Sequence, residues 1–187
     1  MMQRVSSASM LCVLLAFTLC APSGAQDRLA DAWEVLGPTH IGRPLDEVSK
    51  EISLTCDGGT VRQVCATDAK AMVPFGRVPA RKIQALFDDA RLSKVTVIFS
   101  DLHYPTLLRF LTDRFGNGED RSYVARAGMA GEFRAGVYLW HQAGVSVVIE
   151  QYAGKIDRAA LSYGSESAMA EVVRKVTSYP RGARRDL

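Results

Sequence analysis

The spacing of apolar residues changes several times along the chain, and each change marks an element. From Ala80 the period is two: Ile83, Ala85 and Phe87 alternate with Lys82, Gln84 and Leu86, and Val95, Val97 and Phe99 resume the alternation after Asp88-Asp89-Ala90-Arg91. Two alternating runs around turn chemistry predict a β-hairpin. The period then lengthens, with Tyr104, Leu107, Leu108, Leu111 and Phe115 at helical spacing, Asp101 as the expected cap, Pro105 in the first turn and Gly116 as the stop.

Upstream, residues 26–43 start polar and contain Trp33, Leu36 and Ile41 before Gly42-Arg43-Pro44 breaks the chain. Leu45, Val48 and Ile52 follow at helical spacing, with Asp46 and Glu47 where the helix dipole favours negative charge, so a helix is predicted over 44–53 with Pro44 in its first position. Residues 55–70 are rich in Gly, Thr and Asp and lack a clear period, which predicts a loop. Downstream, strand-like runs cover Ser122 to Arg126, Arg134 to Trp140, Val145 to Tyr152 and Lys155 to Tyr163. Gly164 is expected to end the sheet, and Ser165 to open a closing helix over 165–177 with the apolar face Met169, Val172, Val173 and Val176. The tail, residues 180–187, reads as disordered.

These elements imply an α+β fold with helices packed on an antiparallel sheet, in a single domain over 26–179. The two hairpins can also be overlaid at an offset of 53, which sets Phe87 on Trp140, Ala90 on Ala143, Val95 on Val148 and Phe99 on Tyr152. A helix precedes each hairpin, so a tandem repeat with halves 41–100 and 101–164 is one reading. Shared strand alternation without common ancestry is the other. In either case the helix stripe Leu107, Leu108, Leu111 and Phe115 should pack on Val95, Val97 and Phe99, because short connections leave neighbours in space.

Composition adds the compartment. Arg4, the apolar run Met10 to Ala21 and the small residues Ser23-Gly24-Ala25 read as a secretory leader over 1–25, cleaved near Ala25 to start the mature chain at Gln26. A lipoprotein signal ending at Cys20 is the poorer reading, since Leu19 stands where a small residue is needed. The apolar run is also too short to span a bilayer. Without the leader the net charge falls from +3 to +2, which argues against nucleic acid as partner. Of the 4 cysteines, Cys12 and Cys20 leave with the leader, and the remaining pair, Cys56 and Cys65, reads as one disulfide in a periplasmic or secreted protein. On the chain-entropy model such a short loop stabilises the fold by roughly 2.5–3 kcal/mol. Two thiols at this spacing have neither a second ligand pair for zinc nor a C-x-x-C motif.

Catalytic signatures are missing: no G-x-S-x-G, H-E-x-x-H, P-loop or Rossmann fingerprint occurs in the sequence. Its histidines are His40, His103 and His141; Asp101 lies close to His103, where capping accounts for the Asp. Asp88 and Asp89 suit turn geometry better than metal ligation. No cofactor or metal is expected. The turn residues Asp88, Asp89 and Arg91, with His141 of the second hairpin, are the candidate partner surface.

The run Ile41-Gly42-Arg43-Pro44-Leu45-Asp46-Glu47-Val48 followed by a meander of strands resembles the small envelope modules of the BamE (SmpA/OmlA) type. The doubled arrangement with its short-range disulfide is similar to the tandem repeats of the β-lactamase inhibitory proteins. This resemblance implies an exported, non-enzymatic protein-binding or inhibitory module whose partner is another envelope or secreted protein. The alternative is a small periplasmic hydrolase with a site assembled from dispersed residues such as Asp101 and His103.

Overall fold

The computed structural model describes residues 31–68, 72–126 and 131–178 and the backbone of 184–186. The expected leader and the start at Gln26 lie outside these residues, as do 180–183 and 187 of the tail. The chain opens with α1 (Ala32–Leu36), a 3-10 turn (Pro38–His40) and α2 (Leu45–Glu51). Six strands follow: β1 (Thr55–Gly58), β2 (Arg62–Ala66), β3 (Val73–Phe75), β4 (Val78–Ala80), β5 (Lys82–Asp88) and β6 (Arg91–Ser100). A 3-10 turn (Asp101–His103) leads into α3 (Tyr104–Phe115). Then come β7 (Glu119–Asp120), β8 (Tyr123–Arg126), β9 (Glu132–Ala135), β10 (Val137–Gln142), β11 (Val145–Gln151), β12 (Arg158–Ser165), α4 (Glu166–Thr177) and β13 (Arg184–Asp186).

The α+β architecture is as expected, and its centre is an antiparallel sheet of 8 strands in the order β1-β2-β5-β6-β12-β11-β10-β7. Register aligns one row of residues across it: Cys65, Ala85, Val95, Tyr163, Val147 and Trp140. That row lies in a buried cluster with Trp33 and Leu36 of α1, Phe75 of β3, and Leu107 and Leu111 of α3. Val95, Val97 and Phe99 join the same cluster, so the α3 stripe and this hairpin share a core as the short connection predicts. Tyr163 Oη donates to the Leu36 carbonyl at 2.7 Å and ties α1 to the sheet. Full burial pushes the Tyr163 pKa well above its ordinary value, which keeps the hydroxyl a neutral donor.

Among the described residues, the opposite face of the sheet is covered over β10, β11 and β12, with α4 also touching β6. There Leu139 and Val148 join Met169 and Val176 of α4, and Tyr123, Ala125 and Ala135 of the small sheet β13-β8-β9, in a second buried cluster. Ser165 caps α4 by accepting from the Ala168 N–H at 3.3 Å, as its sequence position suggested.

Several expectations need correction. Residues 55–70 are not a loop: β1 and β2 form a hairpin at the sheet edge, with Cys56 and Cys65 directly opposite each other and joined as a disulfide. All of β1 is exposed, so it lacks the apolar alternation that reveals a half-buried strand. The run Arg134 to Trp140 is two strands. Gly136 makes the corner between them, and a Cβ there would stand 2.3 Å from Tyr104 Oη. Gly164 does not end the sheet, because β12 continues to Ser165. A side chain at Gly164 would meet the Ser93 carbonyl at 2.4 Å, so glycine here permits close strand approach. Pro44 precedes α2 as its cap residue instead of occupying the first helical position, and α2 ends at Glu51. Asp101 does not cap α3, which continues from the preceding 3-10 turn with no side-chain cap. Part of the tail expected to be disordered forms β13, parallel to β8. Strand addition satisfies backbone groups on an open edge and needs no apolar pattern, so hydropathy does not reveal it.

Two elements gave no periodic signal. α1 has 5 residues, too few to repeat a face, yet Asp31 caps it through the Trp33 N–H. The hairpin β3–β4 places Pro74 opposite Pro79, and proline within a run normally argues against a strand.

Candidate functional site

Strand direction decides which loops can act together. The β1–β2, β5–β6 and β10–β11 turns all emerge at one end of the sheet, because Arg62 pairs with Asp88, Lys94 with Gly164, and Val145 with Ser165. The candidate partner residues Asp88, Asp89, Arg91 and His141 therefore share one edge. Along it, the strands of Asp88 and His141 are four steps apart in the sheet order, roughly 19 Å at ordinary strand spacing.

The first three have structural work there. Asp89 and Ala90 hold left-handed backbone angles, φ 48° and 57°, as a tight hairpin turn demands. The turn is clamped from both sides: the Asp89 N–H donates to the Val61 carbonyl at 2.7 Å, and the Leu45 N–H to the Ala90 carbonyl at 2.9 Å. Asp88 faces Arg62 at 3.5 Å, and Arg91 Nη1 donates to the Gly42 carbonyl at 3.0 Å. His141 is exposed, with Nδ1 at 3.0 Å from Ser146 Oγ.

Asp101 and His103 follow the far end of β6, seven and nine residues beyond Lys94, and the strand between spans about 20 Å. They do not converge with His141. The clefts beside Phe115, Lys94 and Arg114 are lined by none of His40, His103, His141 or Asp101.

The less obvious feature is the uncovered half of the second sheet face. Alternation places Val64, Leu86 and Lys94 in one row and Ala66, Gln84, Thr96 and Ser162 in the next, while Lys82 and Ile98 begin a third. Neither buried cluster contains these side chains. Val64 is 45% exposed. Beside the rows runs a groove of about 310 Å³ lined by Arg62, Val64, Gln84, Leu86, Lys94 and Thr96. It meets a second cleft between Lys94 and the α4 residues Glu171, Val172, Arg174 and Lys175. Burial is the main cause that holds the Lys94 pKa below its ordinary value; Arg62 adds to the effect and Glu171 opposes it. Arg62, Lys82, Lys94, Arg174 and Lys175 outnumber Asp57, Asp88, Glu150 and Glu171 around this face. Sequence reasoning missed it because alternation shows which residues leave the core, but not which of them a distant helix will cover.

No protein-family model matches the chain, and no curated protein matches it. Among solved structures it is similar to a cysteine-rich secretory protein from Staphylococcus aureus, with 6% identity and a TM-score of 0.40 over 72% of this chain and 46% of that one. The chain thus matches less than half of that structure, and the similarity carries no argument about function. Among the described residues, no helix is long and apolar enough to cross a membrane.

Proposed function

We propose that this protein is an exported, non-enzymatic module that binds another envelope or secreted protein through the open half of its sheet. The supporting observation is the uncovered face over β2, β5 and β6, where Val64, Leu86 and Ile98 stand among cations beside the wall of α4. A pleated face with apolar residues at its centre and charge around it is suited to a protein surface, and the excess of cations selects a partner of net negative surface. Export supplies the oxidising compartment in which the Cys56–Cys65 disulfide forms.

Site-specific photocrosslinking in an envelope extract tests this reading. A crosslinker at Gln84 on the open face should capture one discrete partner, with capture lost in Leu86→Asp and weakened by salt. The same crosslinker at Thr106 on α3 should capture none. Equal labelling from both positions, or Leu86→Asp capturing as well as the native chain, would remove the open face from consideration.

A further inference from the structure

A second cationic feature lies on the helix layer, across the molecule from the open sheet face. A cleft of about 280 Å³ is lined by Arg77, Thr106, Arg109, Phe110, Asp113 and Arg114. Its arginines come from two distant elements, the β3–β4 turn and the outer face of α3. Among the described residues none of the three guanidiniums has a carboxylate within 4.0 Å. Asp113 is the carboxylate in the lining. The nearby Asp31 accepts from the backbone N–H groups of Trp33, Gly76 and Arg77.

Arginines on an outer helix face are ordinarily just solvated, but two features separate these from that case. Arg114 is held by aromatic rings, with Cζ 4.2 Å from the centre of Phe110 and 5.4 Å from that of Trp33. Its guanidinium thus sits against two rings while the side chain stays exposed. Arg77 occupies a left-handed backbone position, φ 73°, where glycine or asparagine would be easier. The hairpin thus presents an exposed cation at this turn.

We propose that Arg77, Arg109 and Arg114 form a binding site for a phosphate group. A carboxylate has two oxygens, and a single arginine fork satisfies both. A phosphate has more acceptor oxygens and a charge near −2 as a monoester, which suits several forks converging on one cleft. Thr106 adds a hydroxyl donor at the rim. The phosphate belongs either to a free phosphorylated small molecule or to a lipid headgroup, and the recognition chemistry is the same.

The test is calorimetric titration of the mature chain with inorganic phosphate, with chloride at matched ionic strength as control. Saturable binding should weaken roughly tenfold or more in Arg77→Ala and in Arg109→Ala. Arg109→Lys, which keeps the charge and loses the fork, should fall between. Melting temperatures without phosphate should match the native chain, since both side chains are exposed. Co-sedimentation with phosphatidylglycerol or phosphatidylcholine vesicles then identifies the source: vesicle binding competed by phosphate assigns a headgroup, and phosphate binding without vesicle binding assigns a soluble ligand. Heat with chloride equal to that with phosphate, no saturable phosphate binding, or binding unchanged in both alanine variants would each overturn the site. The Leu86→Asp capture experiment shares only its Thr106 control position with this face and reads protein capture on the opposite one, so the two proposals fail separately.

Discussion

The two long hairpins of the sheet, β5–β6 and β10–β11, differ in what covers them. In β5 every second residue, Ile83, Ala85 and Phe87, is buried, while the residues between stay partly or fully exposed. In β11 Ser146, Val147, Val148 and Ile149 are all buried in succession. Val147 and Ile149 reach the first core, whereas Val148 reaches the second beneath α4. Alternation is thus the mark of a strand with one covered face, and an unbroken apolar run is the mark of a strand with two. The overlay at an offset of 53 meets the same contrast, because it sets Val95 of the first core on Val148 of the second. A one-residue displacement exchanges the faces of a strand, and the turns at Asp89-Ala90 and Ala143-Gly144 are indeed one residue out of step with that offset.

Introducing a charge on the same sheet face in each hairpin breaks this comparison most sharply. Val148→Asp buries a carboxylate between sheet and helix and should cost about 4 kcal/mol or more, whereas Leu86→Asp on the open half should cost no more than about 1 kcal/mol. Urea midpoints measure both. Similar losses would mean that the open half is covered after all.

Leu111→Ala is next in size. Leu111 is fully buried in the first core, which underlies both hairpins, and its truncation should cost roughly 2–5 kcal/mol in chemical denaturation. Arg114, exposed on the same helix, sits over the rings of Trp33 and Phe110. Arg114→Ala should destabilise by about 0.5–1 kcal/mol.

The smallest effect concerns Lys94. Its pKa is lowered by burial, so the unfolded chain binds the proton more tightly than the folded one, and stability contributed by this group rises as pH climbs through the lowered pKa. At neutral pH Lys94→Met should melt slightly above the native chain. The gap should close once the pH exceeds the ordinary lysine value, about 10.4. A gap that persists or reverses there would show that the half-buried charge is not its cause.

Particular residues show how far the sequence could be read. The β5–β6 hairpin and α3 were legible because alternation and helical spacing each run through several repeats, and the Cys56–Cys65 pairing was expected from the cysteine count and the leader-like start of the sequence. The β1–β2 hairpin, β3–β4 and α1 were not, since an exposed strand, paired prolines and a helix of 5 residues leave no period to detect. Asp88, Asp89 and Arg91 were legible as turn residues from their chemistry. The open rows around Lys94 and the arginine cleft at Arg114 were not, because their members are far apart in sequence.

By itself the sequence determined what local forces determine: the α+β class, the strand periods, the cap at Ser165 and the stop at Gly116. Only the tertiary structure decided that α4 folds back over β11 and β12, reaches only the near side of β6 and stops short of β5, that Gly164 serves close strand approach, and that Arg77 reaches the same cleft as Arg114. The reason is physical: a residue's spacing fixes which way its side chain leaves the backbone, but what it meets there depends on chain segments that pack together only when the whole domain folds.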